Sequence, residues 1–414
     1  MRTLLCSGGE RLFPDLSGRA SVARFSVTGT GTGPLVPADE FLNHQIADTF
    51  AVVTESDRSW TEKVCATAYA RDGSLQLAFG LGTYANRGVS DAYAGICRGD
   101  EQWTVRASAA RTPSTGRASI GPIHYEVVKP MEAVCFRLDG NDVVPISFEW
   151  TFSRVAPAVL ENREQHRSLG GGRVDADVVR YHQTGTAEGW AEVDGERIDL
   201  ATASWVSTRD HSWGVRYQVG APAADVAPPD RISGFASFSL WMPALLEQAD
   251  GSLLAMHVYL QRRTGDGRTA VEIQGGMEYA DGTLEPFVSV DADLQFDDDN
   301  RRLLGGLLHT RNVDGTERRF AFEVPSDTGF HLGTGLYFGF EGHHHGQWQG
   351  PLEVTGEHVT DCRDPAVARR LHQHRDCVVH LRDEATGLRG WGNAQTIVIG
   401  AHADMGCTRE ASFI

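Results

Sequence analysis

The stretch Thr61-Glu-Lys-Val-Cys-Ala-Thr-Ala-Tyr-Ala70, followed by Arg71-Asp72-Gly73 and then Ser74-Leu-Gln-Leu-Ala-Phe79, decides how the chain is to be read. Val64, Ala66 and Ala68 alternate with Cys65, Thr67 and Tyr69, which is the period of a β-strand. Asp72-Gly73 suits the positive φ of a hairpin turn, and Leu75, Leu77 and Phe79 return on one face with Gln76 and Ala78 on the other. The same dipeptide recurs at Asp139-Gly140, Asp194-Gly195, Asp250-Gly251, Asp266-Gly267, Asp281-Gly282 and Asp314-Gly315, each beside a short alternating or β-branched run. Further strands are expected at Phe235–Met242, Leu254–Gln261, Val271–Tyr279 and Arg318–Val324. Repeated hairpins imply antiparallel sheets; many short strands indicate barrels or sandwiches, and closed barrels remove the exposed edges.

Helical spacing is scarce. The best candidate runs from Asp364 to His374, with Asp364 as cap, Pro365 in the first helical position and Val367 four residues before Leu371. The chain has 414 residues, which suggests two domains. A Pro- and Ala-rich segment between Val219 and Ser233 marks the boundary, giving expected domains at 1–220 and 230–414.

With 38 basic against 55 acidic side chains, the formal charge is −17 and nucleic acid is disfavoured as a partner. No apolar run is long enough for membrane insertion, and the Met1–Gly9 segment is too short in apolar core for a signal peptide, so a cytoplasmic protein is expected. The seven scattered cysteines contain no C-x-x-C pair and read as reduced packing thiols. A homodimer stays open.

The densest group of reactive residue types is Trp205-Val-Ser-Thr-Arg209-Asp210-His211-Ser212-Trp213-Gly214-Val-Arg216. On an extended strand Arg209, His211 and Trp213 face one way, and Asp210 and Ser212 the other. Either a desolvated Asp210 serves as general acid beside His211, with Trp205 or Trp213 facing a developing cation, or Arg209, Asp210 and Arg216 form a structural knot. A second polar group is Gly342-His343-His344-His345-Gly346. On a strand, His343 and His345 would share a face toward a ligand; the Glu a cupin needs is missing, so no metal is expected. Arg180-Tyr181-His182-Gln183 reads as a satisfied polar strand; the alternative is that it lines the first barrel's opening. No phosphate loop, complete dinucleotide fingerprint or nucleophile elbow is present, so no cofactor is expected.

Trp205-x(4)-Asp210-His211-x-Trp213-Gly214, the aromatic strand Phe235-Ala-Ser-Phe238-Ser-Leu-Trp241 and the hairpin from Asp250-Gly251 to Leu260 together resemble the bacterial carotenoid hydratase (hydroxyneurosporene synthase) family and its AttH-like relatives. The fungal decalin-forming Diels-Alderases look structurally related to that group. Gly80-Leu-Gly82-x-Tyr84-x-Asn86-Arg87-Gly88-Val89, Arg180-Tyr181-x-Gln183, Arg209-Asp210-x-Ser212-Trp213-Gly214 and Gly390-Trp391-Gly392-Asn393-x-Gln395-Thr396 are similar to an uncharacterised bacterial branch. The resemblance implies an all-β protein of two lipocalin-like antiparallel β-barrel domains with few short helices. It also implies acid-catalysed addition of water to an isoprenoid double bond, with Asp210 and His211 as carriers.

The expected function is therefore a cofactor-independent acid–base enzyme, a hydro-lyase or an isomerase/cyclase, acting on a hydrophobic isoprenoid- or polyketide-like small molecule. Asp210 and His211 are its catalytic candidates, and Trp205, Trp213, Trp241, Tyr337, His343 and His345 its substrate-binding candidates. The alternative is a lipocalin-like carrier that holds an apolar ligand unchanged.

Overall fold

The computed structural model describes residues 35, 37–42, 44, 55–112, 116–167, 173–227, 232–325, 329–371 and 374–408, together with the backbone of Val22–Phe25. Cys6 lies outside the described residues. The chain is all-β, as the hairpin pattern predicts.

One sheet is an up-and-down barrel. Ala236–Glu247, Leu253–Gly265, Arg268–Glu278, Leu284–Phe296, Leu303–Asn312, Glu317–Glu323, Arg375–Asp383 and Arg389–Ile399 pair in chain order, and the last returns to the first. The ring is nearly closed, Arg268–Glu278 meeting Leu284–Phe296 over three residue pairs, which leaves little open edge. The other sheet runs from Glu101–Ala110 through Val89–Arg98, Gln76–Tyr84, Trp60–Ala70, Trp205–Val215, Val174–Val193, Ile146–Arg154, Ala133–Leu138 and Ile123–Lys129 to Arg117–Ile120. It coils until its far end packs on its beginning: a Cβ built on Gly121 would lie 3.0 Å from Val354 and 3.6 Å from Ala107. Each half lends the other a strand. Leu352–Val359 pairs with Glu101–Ala110, and Val22–Phe25 lies parallel to Arg268–Glu278.

Both barrel interiors are filled by side chains. Phe79, Trp103, Phe136, Phe148, Trp150 and Phe152 pack the first, and Phe238, Met242, Met256, Leu303 and Phe320 the second. Each such buried side chain contributes about 1.5–3 kcal/mol. Val64, Ala66 and Ala68 join Leu75, Leu77 and Phe79 in the first core, as their spacing predicts. Cys65, Thr67 and Tyr69 turn the other way and are buried too, because a second barrel covers that face. Tyr69, Val206, Leu245 and Val378 form an apolar patch in this seam.

The Asp-Gly turns divide by mechanism. Asp194-Gly195 and Asp266-Gly267 have positive φ at both residues, as a type I′ turn requires. At Asp72, Asp250, Asp281 and Asp314 only the glycine is left-handed; the aspartate Oδ1 instead accepts from the backbone N–H two residues on. Asp139-Gly140 takes neither form. The expected helix is present as Pro365–Leu371, capped by Asp364 Oδ1, which accepts from Ala366 and Val367 N–H at 2.8 and 3.0 Å. Cys65, Cys97, Cys135, Cys362, Cys377 and Cys407 are free thiols, five of them buried. No helix among the described residues is long and apolar enough to cross a membrane.

Gly214 sits at φ +137, and a Cβ there would meet the Asp177 carbonyl oxygen at 2.1 Å. Gly214→Ala is expected to cost about 2–4 kcal/mol, read as a lower thermal midpoint; an unchanged midpoint would contradict the packing described.

Candidate functional site

The Trp205–Val215 strand is paired on both sides, with Val174–Val193 and Trp60–Ala70, and covered on both faces. Its alternation therefore sends side chains into two different dry environments. Arg209, His211 and Trp213 enter the mouth of the first barrel. Arg209 is held by Glu40 through two contacts of 2.7 Å and by Gln183 Oε1 at 2.7 Å. Tyr181 and Tyr125 hydroxyls donate to Glu40 at 3.0 and 3.3 Å, and the Met131 N–H at 2.7 Å. His211 lies between Glu62 Oε1 and the Tyr181 hydroxyl, both at 3.0 Å. His44 bonds the same Glu62 at 2.6 Å and stacks on Trp213 with ring centroids 3.5 Å apart. Burial opposes the charges of Glu40 and Glu62. Arg209 outweighs it at Glu40, and His211 with His44 at Glu62, so both carboxyls are held below their usual range. This network is closed on itself and serves to lock the barrel mouth.

Asp210 points the opposite way, into the seam. There Cys65, Thr67 and Thr208 from the first barrel meet Trp241, Asp376, Asn393 and Gln395 from the second, around a cavity with room for about one water. Asn393 spans the seam: its Oδ1 accepts from Thr208 Oγ1 at 2.6 Å and its Nδ2 donates to Asp376 Oδ1 at 2.8 Å. Thr67 Oγ1 donates to the other Asp376 oxygen at 3.2 Å. Burial pushes Asp376 up to about 7, against these hydrogen bonds and with help from the nearby Asp210 charge. Burial also raises Asp210, although Arg180, 3.5 Å away, and Arg216 draw it back.

A cationic rim borders this pair. Lys63 is buried, 3.0 Å from His345 Nε2 and 4.0 Å above the Tyr337 ring, and the Tyr337 hydroxyl meets Cys65 Sγ at 3.3 Å. Burial lowers the Lys63 ammonium, and burial with the Lys63 charge lowers His345 to about 4, so the imidazole is neutral and can accept from Lys63. Beside Trp241, whose Nε1 donates to Glu161 Oε1 at 3.0 Å, lies a second buried cluster of Glu161, His182, His257 and Glu278. Burial opposes the His182 charge, but Glu278 and Glu161 outweigh it and raise the imidazole to about 10.

The structure thus separates Asp210 from His211 by the thickness of one strand, and brings Asp376 to Asp210 instead. Trp205 is in the first core and Trp213 on His44; Trp241 lines the seam cavity. Tyr337 and His345 stand at the rim. The strand expected across His343 and His345 is a pair of turns, because Glu341, Gly342 and Gly346 take positive φ, and His343 is exposed. Arg180-Tyr181-His182-Gln183 is a satisfied polar strand: Tyr181 and Gln183, buried, join the network at the mouth of the first barrel, and Arg180, half-buried, and His182, buried, face the seam. Asp376, Thr67, Lys63, Glu161, Glu40 and His257 were not singled out as candidates. Asn393 and Gln395 stand in a stretch that the resemblance marks.

The profile of a family described as "Family of unknown function (DUF8625)" matches residues 35–408. No curated protein matches the chain. Among solved structures, an AttH candidate from Nitrosomonas europaea is similar at 11% identity and a TM-score of 0.46, over 81% of this chain and 92% of its own. CghA, solved with Sch210972, is similar at 13% identity and a TM-score of 0.46, over 90% and 96%. Kievitone hydratase from Nectria haematococca is similar at 10% identity and a TM-score of 0.40, over 89% and 95%.

Two outcomes are expected from the geometry. Glu40→Gln leaves the Arg209 guanidinium buried without its counter-charge and should cost about 3–5 kcal/mol, read from denaturant unfolding; a loss below about 1 kcal/mol would contradict the lock. Folded Asp376 keeps its proton to about 7, whereas an unfolded aspartate loses it at 3.8. The folded state binds more protons between those values, so this contribution is full below 3.8 and is lost as pH rises through about 7. Asp376→Asn should flatten the melting midpoint across that window relative to the unsubstituted protein, and an identical slope in both would refute the assignment.

Proposed function

The chain belongs to that family of unknown function, and we propose that it is an acid–base enzyme whose working site is the seam between the two barrels. The observation that carries this reading is the pair of a buried Asp376 and a half-buried Asp210, brought from opposite barrels to one small polar cavity. A carboxyl that stays protonated near neutrality is a general acid poised at working pH. Asp376 supplies the proton. Asp210, whose charge Arg180 and Arg216 favour, accepts one from water or from the reactant.

Trp241, Tyr93 and Leu332 complete the cavity wall and give the site an apolar side. An indole face next to the acid stabilises positive charge developing on carbon after protonation. The chemistry this arrangement suits is addition or removal of water across a carbon–carbon double bond, or the related isomerisation or cyclisation, on a small molecule with an apolar body. Entry of a reactant larger than water requires lining side chains to rotate away, since the cavity holds about one water. Both barrel interiors are packed with side chains, so an apolar ligand carried unchanged would bind outside them.

Incubation of purified protein with a hydrophobic metabolite extract, followed by mass spectrometry, tests the reading. A product differing by one water, or an isomer of shifted retention, is expected with the unsubstituted protein. Asp376→Asn should lower its formation by about 10²–10⁴, and the rate should fall as pH rises through about 7. Full turnover in Asp376→Asn and Asp210→Asn would refute the roles given. An unaltered ligand co-purifying with all three proteins would make the chain a carrier.

A further inference from the structure

The cluster of Glu161, His182, His257 and Glu278 lies beside the seam cavity and takes no part in that proton transfer. Glu161 and His182 come from the first half of the chain, and His257 and Glu278 from the second barrel. The two imidazole centroids are 3.8 Å apart, and ligand atoms of Glu161, His182 and His257 all fall within 4.8 Å of one another. Glu161 Oε1 is 3.0 Å from His182 Nδ1 and 3.9 Å from His257 Nε2. His182 Nε2 turns instead to Glu278 Oε1 at 2.7 Å.

Ion pairing with the two glutamates accounts for His182. It does not account for His257, which is fully buried and has no hydrogen-bond partner on either ring nitrogen. A buried imidazole left unsatisfied and directed at a carboxylate and a second imidazole is the arrangement of a ligand waiting for a cation. We infer that Glu161, His182 and His257 bind a divalent first-row transition-metal ion that fastens the first barrel to the second. Two imidazoles and one carboxylate suit zinc or ferrous iron. Glu278 then orients His182 through its outer nitrogen, while Trp241 Nε1 and Arg180 Nη1 orient Glu161. The other histidine pair, His44 and His211 around Glu62, has no such vacancy: every ring nitrogen there already meets Asp39, Glu62 or the Tyr181 hydroxyl.

The test uses the full chain, stripped with a chelator, incubated with Zn²⁺, desalted and assayed for metal per chain, with a thermal melt alongside. One zinc per chain and a raised melting midpoint are expected. His257→Gln breaks no hydrogen bond, so the fold should persist while retained zinc falls roughly tenfold or more and the metal-dependent rise in midpoint disappears. Co²⁺ should give visible absorption in the unsubstituted protein that His257→Gln lacks. Absence of stoichiometric metal in the unsubstituted protein would overturn the proposal, as would full retention by His257→Gln or a loss confined to His44→Gln. None of these readouts involves turnover, so their failure is distinct from failure of the seam acid.

Discussion

Because it is covered by a barrel on each side, the Trp205–Val215 strand has no solvent face, and its period-two alternation must place polar side chains in two separate dry compartments. Water can satisfy none of them fully, so each needs a protein partner or must change its protonation state. Arg209 and His211 find partners inside the first barrel. Asp210 faces the seam, where Arg180 and Ser212 of its own sheet contact it and Asp376 of the other sheet stands across a small cavity.

The contrast between Glu40 and Asp376 shows what decides whether a buried carboxyl is inert. Glu40 has a bidentate guanidinium, two hydroxyls and a backbone N–H, so its ionised form is retained. Asp376 has neutral donors, the Asn393 and Gln395 amides and the Thr67 hydroxyl, with Asp210 as a like charge nearby. Neutral donors do not offset desolvation as a bidentate cation does, and the carboxyl keeps its proton. Burial alone therefore does not make a site; the identity of the nearest donor does.

Features set by local chain geometry were legible in the sequence. The hairpin at Asp72-Gly73, the cap at Asp364 and the opposition of Asp210 to Arg209 and His211 all follow from residues a few positions apart. The seam was not legible in this way. Asp376 lies on an ordinary alternating strand and looks like any solvent-facing acid until another barrel covers it. Thr67 and Lys63 likewise read as the polar face of a half-exposed strand. The triple histidine departs from strand spacing for a local reason: the positive φ of Gly342 and Gly346 turns the chain and separates His345, at the seam, from His343, in solvent. Asp210 and His211, adjacent in sequence, invited a joint role that their strand forbids.

The central claim is that the seam holds a carboxyl proton near neutral pH, and infrared titration of protein labelled with ¹³C at its aspartate carboxyls tests it most directly. A protonated-carboxyl band that persists into the neutral range, vanishes at about 7 and is missing from Asp376→Asn is the predicted result. Loss of every such band by about pH 5, where ordinary aspartates are already ionised, would contradict the account.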